Sequence, residues 1–138
     1  MEQPPSGSGG TRVVGAAILD RDGRLLAAQR SGPPDLAGRW ELPGGKVEPG
    51  EDEQAALVRE CREELGVEVR LGERVGGDWP IGPAGVLRVW LAEIVSGEPE
   101  ALEHLAVRWL SPGSWLEVPW LPADLPLIRT IEALRPAS

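Results

Sequence analysis

The chain has no phenylalanine and no tyrosine, so its six tryptophans supply all of its aromatic surface. Stacking on a planar ligand therefore falls to Trp or to an arginine plane. A single cysteine excludes an internal disulfide and points to a reducing, cytoplasmic setting. No apolar run is long enough to span a bilayer and no secretory leader pattern is visible, so no membrane partner is expected. Positive charge is scarce. Fourteen Lys and Arg, all arginine except Lys46, stand against 22 Asp and Glu, for a net charge of −8. Such a surface is poorly suited to holding a nucleic acid polymer through its phosphates. A single nucleotide remains within reach where local arginines and metal ions meet the phosphate groups.

The 138 residues, 41 % apolar, suffice for one domain with one real core. Residues 1–10 are rich in Gly, Ser and Pro and read as a disordered tail, which leaves 11–138 as a single domain. Thr11 to Leu19 and Arg24 to Arg30 read as two strands around an Asp20–Gly23 turn. Ser31 to Gly38 reads as a loop, and Trp40 to Leu42 as a short strand. Beyond the central helix, Val67–Gly76, Val86–Val95 and Leu105–Leu110 read as strands, and Gly77–Gly85 as a loop carrying Trp79. A final helix follows Asp124, a good N-cap, with Leu127, Ile128, Ile131 and Leu134 as its buried stripe. This order predicts a mixed α/β (α+β) fold.

The most informative stretch runs from Gly44 to Glu51 and into a helix over about Asp52–Leu65. Glu51, Asp52 and Glu53 suit the positive end of a helix, and Gly66 suits a left-handed stop. Val58, Cys61 and Leu65 form the apolar stripe, with Leu57 at its edge. Glu60, Glu63 and Glu64, spaced i, i+3, i+4, share the other side. Read alone, three such acids make either a solvated acidic face or a site for a hard divalent cation, Mg²⁺ or Mn²⁺.

From Gly45 the chain reads Gly, five residues, Glu51, seven residues, then Arg59-Glu60-Cys61-Arg62-Glu63-Glu64-Leu65-Gly66-Val67. This resembles the Nudix box at every charged and glycine position. Cys61, where the family usually has a larger aliphatic residue, is the one soft departure. The resemblance implies a mixed β-sheet sandwiched between helices and hydrolysis of a nucleoside diphosphate linked to another group. It implies a metal set of Glu60, Glu63, Glu64 and the backbone of Gly44, and a Glu51–Arg59 salt bridge that holds loop to helix. Arg59 is also an ordinary i, i+4 partner for Glu63.

Glu103, ahead of a strand ending in Arg108-Trp109, resembles the acid that joins the metal site late in MutT-type chains, with Glu98 and Glu100 as competitors. The catalytic group drawn from this resemblance is Glu60, Glu63, Glu103, Arg59 and Glu51, and the general base is one of Glu60, Glu63 and Glu103. His104, the only histidine, reads as a surface or capping residue. Arg30 aligns with a phosphate-binding arginine. Trp40, Glu41, Leu42, Pro43 and Gly44 occupy the nucleotide-contacting strand, where Trp40 packs on a base or in the core. Asp124 aligns with a base-reading position, filled by Asn in the best-known case, and serves either there or as an N-cap only.

The expected activity is that of a Mg²⁺-dependent nucleoside triphosphate pyrophosphohydrolase of the nucleotide pool. It would take oxidised purine triphosphates such as 8-oxo-dGTP, or cytidine-type triphosphates, and release the monophosphate and pyrophosphate. Another nucleoside diphosphate derivative, such as ADP-ribose or a dinucleoside polyphosphate, and a non-catalytic ligand-binding module are the alternatives. A monomer and a homodimer are both compatible with the sequence.

Overall fold

The computed structural model describes residues 11–134; the tail expected over residues 1–10 lies outside them. The strands divide between two sheets. In the first, β1 (Arg12–Ile18) pairs in parallel with β7 (Gly85–Ser96), from Arg12 opposite Val86 to Ile18 opposite Ala92. On the far side of β1 lies β4 (Gly44–Lys46), and β7 also carries β5 (Glu68–Arg74) and β6 (Trp79–Ile81), all antiparallel to their neighbours. The second sheet is antiparallel, with β2 (Leu25–Gln29) between β3 (Trp40–Glu41) and β8 (Ala106–Leu110).

Alternation along β1 separates two cores. Val14, Ala16 and Ile18 face helix α1 (Glu53–Leu65) and pack with Leu57, Cys61, Leu65 and Trp90. Ala17 points the other way, into a cluster with Trp40, Trp115, Leu127, Ile128 and Ile131. Helix α2 (Leu125–Leu134) supplies the last three of these. The mixed α/β architecture expected from the sequence is thus present, with one helix on each side.

Helix α1 begins where its acids and glycines said it would. Asp52 is the N-cap and accepts from the amide of Ala55 at 2.9 Å; Gly66 closes the helix with φ of 73°. Its buried face is rotated from the expected one. Leu57 is fully buried and Val58 only partly so, and Glu64 lies on the buried side, 8 % exposed. The i+4 and i+7 positions from Leu57 are Cys61 and Glu64, so turning Leu57 into the core carries Glu64 with it.

Three further expectations are corrected. Gly44–Lys46, where the short strand was expected to stop at Leu42, is itself a strand, because β1 offers it a free edge that two glycines can approach closely. The Gly77–Gly85 segment contains β6, a hairpin arm folded back on β7. Leu134 is 70 % exposed and lies outside the buried stripe of α2.

Candidate active site

Strand β4 and helix α1 lie side by side and bring their polar groups together. The amide of Gly44 donates to Glu64 Oε1 at 3.3 Å. A Cβ on Gly45 would stand 2.5 Å from the carboxyl carbon of Glu60, so only glycine leaves that carboxyl its place. Burial pushes the Glu64 carboxyl up to about 9; the Gly44 amide works against this, and the facing Glu60 carboxyl adds to it. Glu60 and Glu64 therefore form an acidic pair against a backbone without side chains.

Arg59 braces this pair. Its Nε and Nη2 grip the Glu51 carboxylate at 2.8 and 3.0 Å, and Nη1 reaches Glu60 Oε2 at 3.1 Å and Glu63 Oε1 at 3.2 Å. The guanidinium holds the Glu51 carboxyl below the usual carboxylate range. Both sequence readings of Arg59 are thus present in one fork: a bridge to the loop and an i, i+4 partner for Glu63.

A pocket of about 310 Å³ opens beside the pair. Arg30, Glu41, Asp124, Lys46 and Glu64 supply its polar wall; Val13, Ile81, Leu87, Val89 and Leu121 supply its apolar wall. Asp124 stands at the head of α2, where its carbonyl accepts from the amide of Ile128 at 3.0 Å. Its side-chain Oδ2 accepts from the amide of Leu42 at 2.8 Å, which ties α2 to the end of β3. Asp124 is 6 % exposed, and burial pushes its carboxyl up to about 7; the Leu42 amide lowers it, the Glu41 charge raises it, and Arg30 lowers it. Around neutral pH this group is thus available as donor or acceptor. Arg30 Nη1 donates to Glu41 Oε1 at 2.9 Å, and Arg30 Nε donates to the carbonyl of Gly32 at 2.9 Å.

Some expected residues stand apart. Trp40 is buried in the core and is not among the residues that line the pocket; its backbone pairs with Pro119 and Leu121. Pro43 is buried too, its carbonyl accepting from the amide of Ala16 at 2.8 Å. Glu63 is half exposed. Glu103 is exposed, on a segment whose backbone docks against the end of α1: Glu100 and Leu102 donate to the carbonyls of Leu65 and Glu64. Among the described residues, no three Asp, Glu, His or Cys side chains converge at metal-binding distance.

His104 departs most from expectation. Its side chain is 7 % exposed, and its Nε2 lies 2.9 Å from Glu41 Oε2. Sequence reasoning also missed Lys46, Ile81, Leu87 and Val89 as pocket residues. For Leu87 and Val89 the signal was their alternation along β7; for Ile81 there was none, since β6 exists only through its pairing.

The donor set suits a hard divalent cation. Two adjacent carboxyl groups, one buried at a cost that a bound cation relieves, face a backbone cleared by glycine. The pocket beside them holds a cationic fork and two carboxyl groups, which suits a ligand with phosphates at one end and N–H donors at the other.

A family model described as NUDIX domain matches residues 10–131. A Mycobacterium tuberculosis relative, provisionally named 8-oxo-dGTP diphosphatase 2, is 47 % identical over 116 residues, which cover 82 % of this chain and 82 % of the relative. The CTP pyrophosphohydrolase of Escherichia coli is 46 % identical over 126 residues, covering 90 % of this chain and 93 % of that protein. The solution structure of the E. coli ORF135 protein is similar with a TM-score of 0.77 at 40 % identity, covering 98 % of this chain and 100 % of that one.

Proposed function

The chain belongs to the Nudix hydrolase family, and from that premise we propose that it is a Mg²⁺-dependent nucleoside triphosphate pyrophosphohydrolase. The observation that carries this reading is the continuity of the two sites. The pocket lined by Arg30, Glu41 and Asp124 runs directly onto Gly44, Gly45 and Glu64, where the acidic pair sits. A nucleotide held by its base at Asp124 and Glu41 thus has its phosphate chain led toward the carboxylates of α1.

In this reading Glu60, Glu63 and Glu64, with the backbone of Gly44 and with Glu103 from the docked segment, would hold Mg²⁺ or Mn²⁺. When bound, the cation would supply charge neutralisation along the phosphate chain and acidify the attacking water. Water attacks a phosphorus of the triphosphate chain, the bridging P–O bond breaks, and nucleoside monophosphate and pyrophosphate leave. The water's proton passes to one of Glu60, Glu63 and Glu103. Arg59, through Glu51, keeps these acids in register. Arg30 keeps Nη2 for the ligand, since its Nε and Nη1 are engaged. The names of the two relatives support oxidised guanine or cytosine as the base, and two carboxyl groups suit the N–H edges of either.

The test is a panel of CTP, dCTP, dGTP, 8-oxo-dGTP and ADP-ribose with Mg²⁺, ranked by kcat/KM with pyrophosphate detected. A clear lead for 8-oxo-dGTP or for the cytidine nucleotides, lost in Glu63→Gln, is the expected result. Turnover of ADP-ribose alone, or full activity of Glu63→Gln, would overturn it.

A further inference from the structure

We propose that His104 is a positioning residue for nucleotide recognition: its imidazole holds one oxygen of Glu41 while Arg30 holds the other, which fixes the carboxylate plane that faces the pocket. The inference rests on the reading of this pocket as a nucleotide site.

Three chain segments meet at Glu41. Arg30 directly follows β2, Glu41 ends β3, and His104 comes from the segment ahead of β8. Oε1 of Glu41 takes Arg30 at 2.9 Å, and Oε2 takes His104 Nε2 at 2.9 Å. Arg30 is itself fixed by the carbonyl of Gly32, so the row is anchored at that end. A glutamate has three side-chain torsions, and a reader of base edges is useful only if they are stopped. One donor on each oxygen stops them, and a carboxylate with two oxygens still has acceptor capacity for a ligand.

The ring's other nitrogen argues for the same role. Nδ1 of His104 is buried without a hydrogen-bond partner. A proton there would be a buried donor with no acceptor, so the tautomer that fits carries its proton on Nε2 and gives it to Glu41. Docking of the segment does not require the imidazole, because the amide of Leu105 already donates to the carbonyl of Gln29 at 2.8 Å. An apolar side chain would fill the same volume. The polar ring, more than nine-tenths buried, therefore has the carboxylate as its purpose.

As the only histidine of the chain, His104 gives an unshared signal in a long-range ¹H–¹⁵N spectrum. The expected spectrum is that of the Nε2–H tautomer, shifted in Glu41→Gln and again when cytidine or guanosine monophosphate binds. A ring protonated on Nδ1 alone, or one that both perturbations leave unmoved, overturns the proposal. In kinetics, His104→Leu is expected to raise KM for the best triphosphate by roughly tenfold or more, the loss of a charge-assisted hydrogen bond, with kcat changed far less. His104→Gln, whose amide also donates, is expected to restore most of it. An unchanged KM in a folded Leu variant, or a Gln variant as impaired as Leu, overturns the proposal. Should the wild-type chain hydrolyse no triphosphate, the reaction reading falls, and the ring spectrum with the monophosphate titration still decides the role of His104.

Discussion

Asp124 carries a proton into neutral pH because it is buried, not because of its neighbours alone. In the unfolded chain its carboxyl ionises near the usual 3.8; in the folded chain it does so at about 7. The folded state thus keeps a proton that the unfolded state gives up. The associated stability is full below about 3.8 and is lost as pH rises through about 7. Asp124→Asn cannot ionise and lacks this loss. Urea midpoints of the metal-free proteins are expected to converge toward pH 4 and to separate by pH 8, with the Asn variant ahead there. Midpoints that stay parallel over this range would refute the assignment. Arg59 makes a different case, since its value lies in its shape. Its fork spans Glu51, Glu60 and Glu63 at once. Arg59→Ala is expected to weaken Mg²⁺ binding by about 10- to 100-fold, and Arg59→Lys to recover little, because an ammonium cannot reproduce the bidentate grip. Metal affinity by calorimetry checks both. The Glu51–Arg59 bridge was implied by the resemblance of this stretch to the Nudix box. The second hold on Glu60 was not, since it depends on how the guanidinium is turned.

Helix α1 and strand β4 form one unit, and two adjacent glycines do different work in it. A Cβ on Gly44 would stand 2.0 Å from the carbonyl oxygen of Val14, a backbone atom of β1 that cannot step aside. A Cβ on Gly45 would meet the Glu60 carboxyl, the far end of a side chain that can turn. Gly44→Ala is therefore expected to lower stability by about 2 kcal/mol or more through the β1–β4 pairing. Gly45→Ala is expected to stay folded and to lose activity by displacing Glu60. Thermal melts and kcat/KM on both variants separate the two outcomes; equal behaviour would contradict this division. The sequence announced both ends of α1, because caps are local chemistry between residues three or four apart. It did not announce its rotation. Leu57 and Val58 are equally apolar, and only the surface of β1 and β7 decides which one is buried. Strands β4 and β6 were unreadable for a related reason: each is short, one is glycine-rich, and each exists by pairing with an edge that lies elsewhere in the chain.

Across the whole molecule, the pocket lies where the two cores approach each other. Leu87 and Val89 belong to the cluster of α2, while Glu64 rides on the helix of the other cluster. Asp124 on the amide of Leu42 ties α2 to the end of β3, and Glu64 on the amide of Gly44 ties α1 to β4, so two residues two apart in the chain hold both helices to one site. Cys61 gives a reporter of the helix-side core. It is fully buried, and burial pushes its thiol up to about 12, so the native protein should react with a thiol reagent only through opening. The reaction is expected to be slow in buffer and to accelerate along the denaturation curve. Rapid labelling in buffer would mean that α1 opens locally.

The proposed metal-binding group was legible in the chain as short-range pattern. The glycine pair, the spacing of Glu51, Arg59, Glu60, Glu63 and Glu64, and the caps of α1 each involve residues within a few turns of one another. Folding decided what joins residues distant in sequence: Asp124 on the amide of Leu42, His104 on Glu41, Trp40 in the core instead of the pocket, and Glu103 outside the acidic pair. A residue's type states which bonds it is able to make. Which of them it makes depends on burial and on the partner that the sheet register sets opposite, and neither quantity is local.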